Sequence, residues 1–528
     1  MAKILVSDKL SPQGLEILKN GGLDVDFKSG LSPDELKKII PSYDGWVIRS
    51  GTKVTPELIE VATRLKVIGR AGIGVDNVDL PSASRKGIVV MNTPSGNAVT
   101  TAEHAIAMMF AVSRKIPQAT ASMRAGLWEK TKFMGSELCN KVLGVVGVGN
   151  IGKIVADRAL GLKMKVIGYD PFLSVEAAEK MGIQLVELET LFKMADYISV
   201  HTPLTDKTKG LVNKAAFAKM KKGVYIINCA RGGIVNEADL VQALKEGIVA
   251  GAALDVFEKE PPSKDDPLLK LDQVIFTPHL GAATDEAQEN VALEVAEQIV
   301  DYFKNGTIRN AVNFPSITAE ALKYLQPYLS LAEKLGSLQG QLISKLPKEV
   351  TIEYKGEIAE RSLAPVTIAF LKGFLSCIMS DVLVNYVNAP VIAKERGLKV
   401  IEAKVRQQED YASLLTVTLK DDGKTHSVAG TIFGRTNPRL VKMEGFNLEA
   451  VPEGKILVIR NHDKPGVIGS VGTLLGQSKV NISRMQLGLE KGNSEAIALY
   501  NVEGDVTPEV ISKLEKLPNI ISVKQVIL

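Results

Sequence analysis

Cysteine and histidine are scarce in this chain, whose 528 residues include three cysteines and five histidines. The cysteines, Cys139, Cys229 and Cys377, are widely separated along the sequence. Their spacing fits neither a disulfide framework nor a zinc site, so we expect the protein to use no metal.

An excess of charge of one sign and long apolar runs are also missing. The 64 basic and 60 acidic residues leave a formal charge of +4, with no basic block that would favour nucleic acid binding. Even the apolar region 364–393 contains Lys372 and Asp381, which argues against a membrane span. The opening residues, MAKILVSD, predict a strand and lack the apolar region of a signal peptide, so we expect a cytoplasmic protein. A length of 528 residues predicts about three domains.

The most informative feature that is present is the sequence GVGNIG at positions 147–152. An apolar, strand-like run precedes it, and apolar residues at helical spacing follow it. In such a strand–turn–helix, the first glycine allows a tight turn, the second lets a pyrophosphate approach, and the third lets the helix pack closely. Asp170 ends a second strand about 20 residues on, where a carboxylate binds the adenosine ribose. The pattern predicts an NAD site, with NAD favoured over NADP, built on Gly147, Gly149, Gly152 and Asp170.

Alternating strands and helices divide the first part of the chain between two α/β units. Residues 1–98 form the first unit, and a long apolar helix at 99–114 leads into a doubly wound parallel sheet. The helix at 285–304 is suited to return to the first unit. We therefore predict a Rossmann-type NAD-binding domain (99–284) inserted into a second α/β domain, a discontinuous substrate-binding domain (1–98 and 285–313).

The rest of the chain changes character. Residues 316–453 predict an α+β domain, with helices near 318–346 and 364–382 and a hairpin around Asp421-Asp422-Gly423. From 454 to 528, the order strand, helix, strand, strand, helix, strand predicts a small ferredoxin-like βαββαβ module.

Three side chains with useful chemistry each follow a predicted strand of the second α/β unit: His201, Arg231 and His279. Ligands of open α/β sheets bind at the carboxyl ends of the strands, so we expect these residues to line the cleft. The glycines after Arg231 leave its guanidinium room to hold a carboxylate through two parallel N–H groups. We expect His104, on the apolar helix, to be a packed residue.

Through the segments NCARGG at 228–233 and TPHLGA at 277–282, residues 1–313 resemble the D-isomer-specific 2-hydroxyacid dehydrogenases. The resemblance implies that Arg231 holds the substrate, that His279 is the acid/base and that Glu260 pairs with it. Such residues suit hydroxy acid oxidation, in which hydride leaves C2 for nicotinamide while an imidazole takes the hydroxyl proton. The resemblance also assigns the following residues to NAD: Asn150, Ile151, Asp170, Thr202, Cys229, Ala230, Arg231, Asp255, His279, Gly281 and Ala282.

The C-terminal extension resembles one long branch of that family, in which an intervening domain precedes an ACT domain. This resemblance implies oxidation of 3-phospho-D-glycerate (3-phosphoglycerate) to 3-phosphooxypyruvate, the first step of L-serine biosynthesis. The candidates for holding the phosphate are Arg49 and Arg70, at predicted strand ends, and more weakly Lys132. Residues of the terminal module imply an effector site for L-serine, formed by Asn461, Asp463 and Asn481.

Two other functions stay open at this point. The same arginine, glutamate and histidine serve reductases of glyoxylate, hydroxypyruvate or 2-oxoglutarate, which differ in phosphate recognition. Relatives that sense NAD as corepressors also retain these residues, although an amino-acid effector module has no evident use there. The resemblance further implies a homo-oligomer, a dimer or a homotetramer, with Lys132 reaching across a dimer interface.

Overall fold

The computed structural model describes residues 1–315, 319–379, 382–406, 410–421, 423–489 and 494–528. In these residues the strands form three sheets, of five, seven and ten strands. The first two sheets are parallel and the third is mixed, which confirms the expected class of two α/β units followed by α+β modules. Among the described helices, none combines the length and the apolar character that a membrane span needs.

The first unit is a five-stranded parallel sheet flanked by helices. Its strands are β1 (Lys3–Val6), β2 (Asp24–Phe27), β3 (Gly45–Ile48), β4 (Val67–Arg70) and β5 (Val89–Asn92). Its helices are α1 (Pro12–Asn20), α2 (Pro33–Ile39), α3 (Pro56–Val61) and α4 (Leu80–Arg85). The strand order is β2-β1-β3-β4-β5, in which the edge strand β2 was not expected from the sequence.

Two helices, α5 (Ala98–Ser113) and α6 (Ile116–Arg124), precede the second sheet. Its strands are β6 (Val142–Val146), β7 (Lys165–Tyr169), β8 (Gln184–Leu185), β9 (Tyr197–Val200), β10 (Val224–Asn228), β11 (Val249–Leu254) and β12 (Val274–Phe276). Its helices are α7 (Asn150–Gly161), α8 (Val175–Lys180), α9 (Leu188–Met194), α10 (Lys214–Phe217) and α11 (Glu237–Lys245). The order β12-β11-β10-β9-β6-β7-β8 changes direction between β6 and β9, and ligands bind outside such a switch point.

Helix α12 (Asp285–Asn305) returns the chain to the first sheet. Its Val295 and Ile299 pack in one core cluster with Ile4 of β1. A Cβ on Gly69 in β4 would lie 2.7 Å from Val295, so the absence of a side chain there lets the helix approach the sheet. The core of the first unit is thus built from two separate stretches of the chain.

The third sheet runs through the rest of the chain. Its strands are β13 (Glu349–Gly356), β14 (Lys399–Val405), β15 (Ser413–Asp421), β16 (Lys424–Phe433), β17 (Asn437–Met443), β18 (Phe446–Ala450), β19 (Lys455–His462), β20 (Asn481–Leu489), β21 (Glu495–Glu503) and β22 (Ile520–Ile527). Its helices are α13 (Ala319–Leu342), α14 (Ala364–Ile378), α15 (Ala389–Glu395), α16 (Val467–Gln477) and α17 (Pro508–Glu515). The strand order is β14-β13-β15-β16-β17-β18-β20-β21-β19-β22.

The predicted hairpin is present, because β15 and β16 pair antiparallel with Asp421 opposite Lys424. Asp422, at the centre of its turn, lies outside the described residues. Helix α14 ends at Ile378, earlier than the sequence pattern predicts.

The last four strands have the order β20-β21-β19-β22 of a ferredoxin-like module. They continue the preceding sheet, since Asn447 in β18 pairs with Leu489 in β20. Leu335 of α13 also shares one apolar cluster with Val458 and Leu499 of the terminal module. The two C-terminal modules therefore share a sheet and a core, a continuity that the sequence does not predict.

The C-terminal part of the chain also packs on the first α/β unit. Val387 is buried in the core cluster of the first sheet. Asn385 donates from Nδ2 to the carbonyl of Gly87 at 2.9 Å, and Arg85 forms an ion pair with Glu395 at 2.8 Å. These contacts join α4 of the first unit to the segment around α15.

Candidate active site

The GVGNIG turn between β6 and α7 has the backbone that the motif predicts. Gly147 adopts a φ of 90°, in the left-handed region, and a Cβ there would lie 2.9 Å from the carbonyl oxygen of His201. A Cβ on Gly152 would lie 2.0 Å from the carbonyl oxygen of Gly147, so glycine is needed for α7 to approach the turn. A Cβ on Gly149 would face open space. An accessible backbone at a helix N-terminus suits a pyrophosphate.

Two polar side chains beside the turn fit an adenine dinucleotide. Asp170 accepts hydrogen bonds from the N–H groups of Val148 and Phe172, each at 2.9 Å, which hold its carboxylate next to the turn. Thr202 has a buried Oγ1 with no partner among the described residues. Because buried hydroxyl groups are nearly always hydrogen-bonded, this one fits a bound ligand.

Five further cofactor candidates lie after β10, at the start of α7 or in the turn between β12 and α12: Asn150, Ile151, Ala230, Gly281 and Ala282. The loop after β10 is fixed by Asn228, whose Oδ1 accepts from the N–H of Ala230 at 3.1 Å. This hydrogen bond therefore orders the backbone that carries Ala230.

His279 and Glu260 are in direct contact. Nδ1 of His279 lies 2.8 Å from Oε2 of Glu260, and both side chains are partly exposed. The N–H of Phe257 donates to Oε1 of Glu260 at 3.2 Å and fixes that carboxylate. No described hydrogen bond engages Nε2 of His279. A carboxylate on one ring nitrogen and a free nitrogen opposite is the arrangement of a general base.

Asp255, directly after β11, fixes the turn that carries His279. It is 1% exposed, and its carboxylate accepts from Oγ1 of Thr277 at 2.5 Å and from the N–H groups of residues 280–281 at 2.7 and 2.8 Å. Burial raises the pKa of Asp255, but hydrogen bonds from His104, Thr277 and these N–H groups outweigh the burial and hold the pKa below its usual value. The carboxylate is therefore ionised and fully engaged by the protein.

Arg231 joins the two α/β units. Its Nε donates to Asp76 of the first unit at 2.7 Å, and its Nη1 donates to the carbonyl of Ala230 at 2.7 Å. A Cβ on Gly74 would lie 1.8 Å from Nη2 of Arg231, so the guanidinium occupies the space that glycine leaves. Nδ2 of Asn228 donates to the carbonyl of Arg231 at 2.9 Å. The guanidinium is thus held between the strand ends of both sheets.

Arg70 and Arg49 lie at neighbouring strand ends of the first sheet, since Arg70 pairs in register with Ile48. Nε of Arg70 is buried and has no partner among the described residues. A Cβ on Gly72 would lie 1.5 Å from its Nη1, so this turn also leaves room for a guanidinium. Burial and the positive charge of Arg231 lower the pKa of Arg70 to about 10. A bound anion would complete such a group of cations.

Two other cleft candidates, His201 and Cys229, are held in their uncharged forms. His201 has its Nε2 2.8 Å from Oγ of Ser199, and burial lowers its pKa to about 4, so the ring is neutral. Burial, together with the nearby Asp255, raises the pKa of the Cys229 thiol. A protonated, buried thiol is no nucleophile, so Cys229 forms part of the cleft wall.

Lys132 lies in the exposed 3₁₀ turn Lys130–Phe133. Its Nζ is 3.4 Å from Glu129 and 5.8 Å from the ring centroid of Phe133. The described contacts of Lys132 are therefore within its own segment, and the structure of one chain does not bring it to Arg49 or Arg70.

The three effector candidates do not meet within one chain. Asn461 in β19 pairs with Ala496 in β21, whereas Asn481 in β20 pairs with Glu503 at the opposite end of β21. The two positions are separated by about 20 Å along the strands. Asp463 follows β19 directly and is exposed, so it is close to Asn461 alone.

One residue at the site was missed by sequence reasoning. His104, expected to be a packed residue, places Nε2 3.1 Å from Oγ1 of Thr277 and 3.4 Å from Oδ1 of Asp255. The two hydrogen-bonding partners, His104 and Thr277, are 173 positions apart, and no local pattern links them.

Family models match three regions of the chain. The model of the D-isomer specific 2-hydroxyacid dehydrogenase NAD binding domain matches residues 106–281. The model of the D-3-phosphoglycerate dehydrogenase intervening domain matches residues 324–444, and the model of the ACT domain matches residues 455–519. The first match covers the strands of the second sheet, and the other two lie one after the other along the third sheet.

Relatives with this architecture cover the whole chain. It is similar to the D-3-phosphoglycerate dehydrogenases of Archaeoglobus fulgidus (46% identity) and Methanocaldococcus jannaschii (44%), each over 98% of both sequences. The enzyme of that name from Bacillus subtilis is 42% identical over 99% of both sequences.

Solved structures resemble the first part of the chain. A D-lactate dehydrogenase from Aquifex aeolicus, complexed with NAD and lactic acid, has a TM-score of 0.53 at 28% identity, covering 60% of this chain and 100% of that one. A glyoxylate reductase from Paecilomyes thermophila has a TM-score of 0.55 at 27% identity, covering 59% and 98%. These enzymes share the two α/β units, whereas the full-length relatives share the C-terminal modules as well.

Proposed function

Because the chain belongs to the family of D-3-phosphoglycerate dehydrogenases, we propose that it oxidises 3-phospho-D-glycerate to 3-phosphooxypyruvate with NAD. The observation that carries the substrate assignment is the group of three guanidinium groups, Arg49, Arg70 and Arg231. The substrate has two anionic ends, a carboxylate and a phosphate. Arg231 offers a planar fork to the carboxylate, and the unpaired, buried Nε of Arg70 is a donor for the phosphate beside Arg49.

Proton transfer belongs to His279 in this proposal. Its Nε2 takes the proton of the C2 hydroxyl as the carbonyl forms, because Nδ1 already contacts Glu260 at 2.8 Å. Glu260 then stabilises the imidazolium, and the N–H of Phe257 keeps that carboxylate in place. Glu260 stabilises the positive charge of the ring and does not itself take up the proton.

The residues around the GVGNIG turn would hold the cofactor. When bound, NAD accepts hydride from C2 of the substrate. Gly149 leaves space for the pyrophosphate, and the unpartnered Oγ1 of Thr202 offers a hydrogen bond to it or to the nearby ribose. Asp170 accepts from the ribose hydroxyls and repels a 2′-phosphate.

A panel of hydroxy acids tests the reaction. Initial rates of NADH formation would be measured with 3-phosphoglycerate, D-glycerate, D-lactate and D-2-hydroxyglutarate. We expect the kcat/KM for 3-phosphoglycerate to exceed that for D-glycerate by at least about 100-fold, because D-glycerate leaves Arg49 and Arg70 without an anion. Equal values would contradict the phosphate role of these arginines. A wild-type preference for NADP over NAD would contradict the role of Asp170.

We propose L-serine as the effector of the ACT module. Asp463 and Asn481 are exposed and carry a carboxylate and an amide suited to the ammonium and carboxylate of an amino acid. Asn461 is 5% exposed, and its Nδ2 donates to the carbonyl of His462 at 2.8 Å, so it would offer Oδ1. Since about 20 Å of strand separates Asn461 from Asn481 in one chain, the site would join Asn461 and Asp463 of one copy with Asn481 of a second copy. Serine would then act on an assembly or conformational equilibrium, away from the catalytic cleft.

We propose that the protein is a homo-oligomer, a dimer or a homotetramer. Exposed apolar side chains concentrate between residues 110 and 134, among them Met123 at 55%, Trp128 at 81% and Met134 at 76%. Such a patch on a soluble enzyme is typical of a protein interface. Docking of a second copy there would also place Lys132 beside a neighbouring cleft. Sedimentation of the wild-type protein and of Trp128→Ser tests this proposal. We expect a lower mass for the variant, and a mass equal to that of the wild type would contradict the proposal. We also propose a cytoplasmic location.

A further inference from the structure

His104 lies behind the turn that carries His279. It belongs to α5, a helix that packs on β11 and β12, and its side chain is 19% exposed. Its Nε2 contacts Oγ1 of Thr277 at 3.1 Å and lies 3.4 Å from Oδ1 of Asp255. A ring from a helix thus reaches two polar groups at the ends of neighbouring strands.

The hydroxyl of Thr277 fixes the direction of these hydrogen bonds. Oγ1 of Thr277 donates its single hydrogen to Oδ1 of Asp255 at 2.5 Å. The same oxygen can therefore only accept from His104. Nε2 of His104 must carry a proton, and the hydrogen bonds run from His104 through Thr277 to Asp255.

Asp255 connects this chain of hydrogen bonds to the proposed general base. Its carboxylate accepts from the N–H groups of Leu280 and Gly281, and its backbone carbonyl accepts from the N–H of His279 at 3.0 Å. His279 adopts a φ of 56°, a left-handed conformation that is uncommon for a residue with a side chain. Such a conformation persists where the surroundings hold it, and here Asp255 holds it on both sides.

We infer that His104 is a positioning residue for the reaction, acting through Thr277 and Asp255 on the turn that aims His279. The inference rests on the proposed function and deepens it. His104 has no described contact with the arginines assigned to the substrate, so it would act on catalysis only through the turn. Removing its donor leaves Oγ1 of Thr277 with one partner fewer and takes away the N–H group that lies 3.4 Å from Oδ1 of Asp255, which loosens one side of that carboxylate. The substrate arginines stand on other strands, so the loss should appear in kcat and leave the KM for 3-phosphoglycerate nearly unchanged.

Two substitutions of similar size separate positioning from packing. His104→Leu removes the donor, whereas His104→Gln keeps an N–H group at the position of Nε2. We expect His104→Leu to lower kcat by at least about tenfold, because small misplacements of reacting groups are costly. In the same measurement, His104→Gln should retain kcat within about threefold of wild type. The KM for 3-phosphoglycerate should stay within about twofold in both variants.

Ser113→Ala is the matched control on the same helix. Its hydroxyl is buried and lies 3.1 Å from the hydroxyl of Tyr197, away from the turn. We expect this variant to lower the melting temperature and to keep the wild-type kcat. An equal loss of kcat in Ser113→Ala and His104→Leu would show that any polar loss from α5 suffices, and would overturn the inference.

Thr277→Val completes the test, because it removes the hydroxyl that bridges His104 and Asp255 and leaves only their direct contact at 3.4 Å. If both residues act on the same carboxylate, the loss of kcat in the double variant with His104→Leu should be clearly smaller than the product of the two single losses. Multiplicative losses would overturn the inference, as would a wild-type kcat in His104→Leu. A wild-type protein without activity on 3-phosphoglycerate would instead contradict the proposed function, so the two failures are distinguishable. If His104→Leu does not fold, equal losses of kcat in His104→Gln and Thr277→Val would overturn the inference.

Discussion

The catalytic half of the chain (residues 1–315) and the C-terminal half (319–528) differ in where their buried polar groups lie and in what can serve as their partners. In the catalytic half, Nε of Arg70 and Oγ1 of Thr202 are buried without a partner among the described residues. Both atoms lie at strand ends, where ligands of α/β sheets bind. Substrate and cofactor would supply the missing partners.

In the C-terminal half, a comparable polar group is satisfied by the protein itself. The hydroxyl of Tyr386 donates to Glu333 at 2.6 Å, and Nζ of Lys372 lies 2.5 Å from the other oxygen of that carboxylate. Burial and Glu333 raise the pKa of Tyr386, so its phenol stays protonated. A network of this kind fixes the packing of α13 and α14 and needs no ligand. Two polar atoms of this half, Oε1 of Gln339 and Oγ1 of Thr351, are also buried without a partner among the described residues, but they lie within α13 and β13 and not at strand ends. The candidate ligand sites therefore lie at the strand ends of the catalytic half.

The largest expected effect comes from paired histidine substitutions, one in each half. His279→Ala should lower kcat by about 10²–10⁴-fold while NAD binding survives, because proton transfer and the glycine-rich turn are separate functions. His426→Ala is the control, since this ring is 3.3 Å from Glu444 in the C-terminal half. Its kcat should equal that of the wild type. Similar losses in both variants would break the comparison.

A smaller loss is expected when Arg231 is replaced by lysine. The charge remains, but an ammonium group cannot provide two parallel N–H bonds to a carboxylate. We expect kcat/KM to fall by more than about tenfold, or about 1.4 kcal/mol of transition-state stabilisation. Arg460→Lys, at an exposed ion pair with Glu495, should leave kcat/KM unchanged. If kcat/KM of Arg231→Lys decreases by less than about tenfold, Arg231 does not hold the substrate carboxylate through two parallel N–H bonds.

The smallest effect on turnover is expected at the contact between the halves. Asn385→Ala removes the hydrogen bond to Gly87 and those that Oδ1 accepts from the N–H groups of Val387 and Asn388. The loss should destabilise the protein by about 1–3 kcal/mol, seen as a lower thermal midpoint. Uninhibited kcat should stay within about twofold, since the cleft is untouched. A large loss of kcat with an unchanged midpoint would mean that the C-terminal half takes part in the chemistry.

Much of the fold could be predicted because buried strands and amphipathic helices carry strong local patterns. Strand β6 and helix α7 around the GVGNIG turn are examples. Strand β2 was missed because it is a partly exposed edge strand of only four residues, two of which are aspartates, a residue type that is depleted in strands. The joining of β18 to β20 was missed for another reason: a single pair of residues makes it, and tertiary packing supplies the rest.

The site shows the same limit. Short motifs with a recognisable spacing contain Gly147, Arg231 and His279, so the roles of these residues could be predicted from the sequence. His104 could not, because its partner Thr277 is 173 positions away and a histidine on an apolar helix has the pattern of a core residue. The separation of Asn461 from Asn481 was equally hidden, since it depends on which end of β21 each one faces.

The most direct test of whether the C-terminal half regulates the reaction of the catalytic half is serine titration of the wild-type enzyme and of Asn481→Ala, at several concentrations of 3-phosphoglycerate. We expect serine to lower the wild-type rate in a way that excess 3-phosphoglycerate does not relieve. We also expect Asn481→Ala to lose this response while its uninhibited kcat stays within about twofold of wild type. Inhibition that 3-phosphoglycerate relieves competitively, or that persists unchanged in Asn481→Ala, would contradict the account.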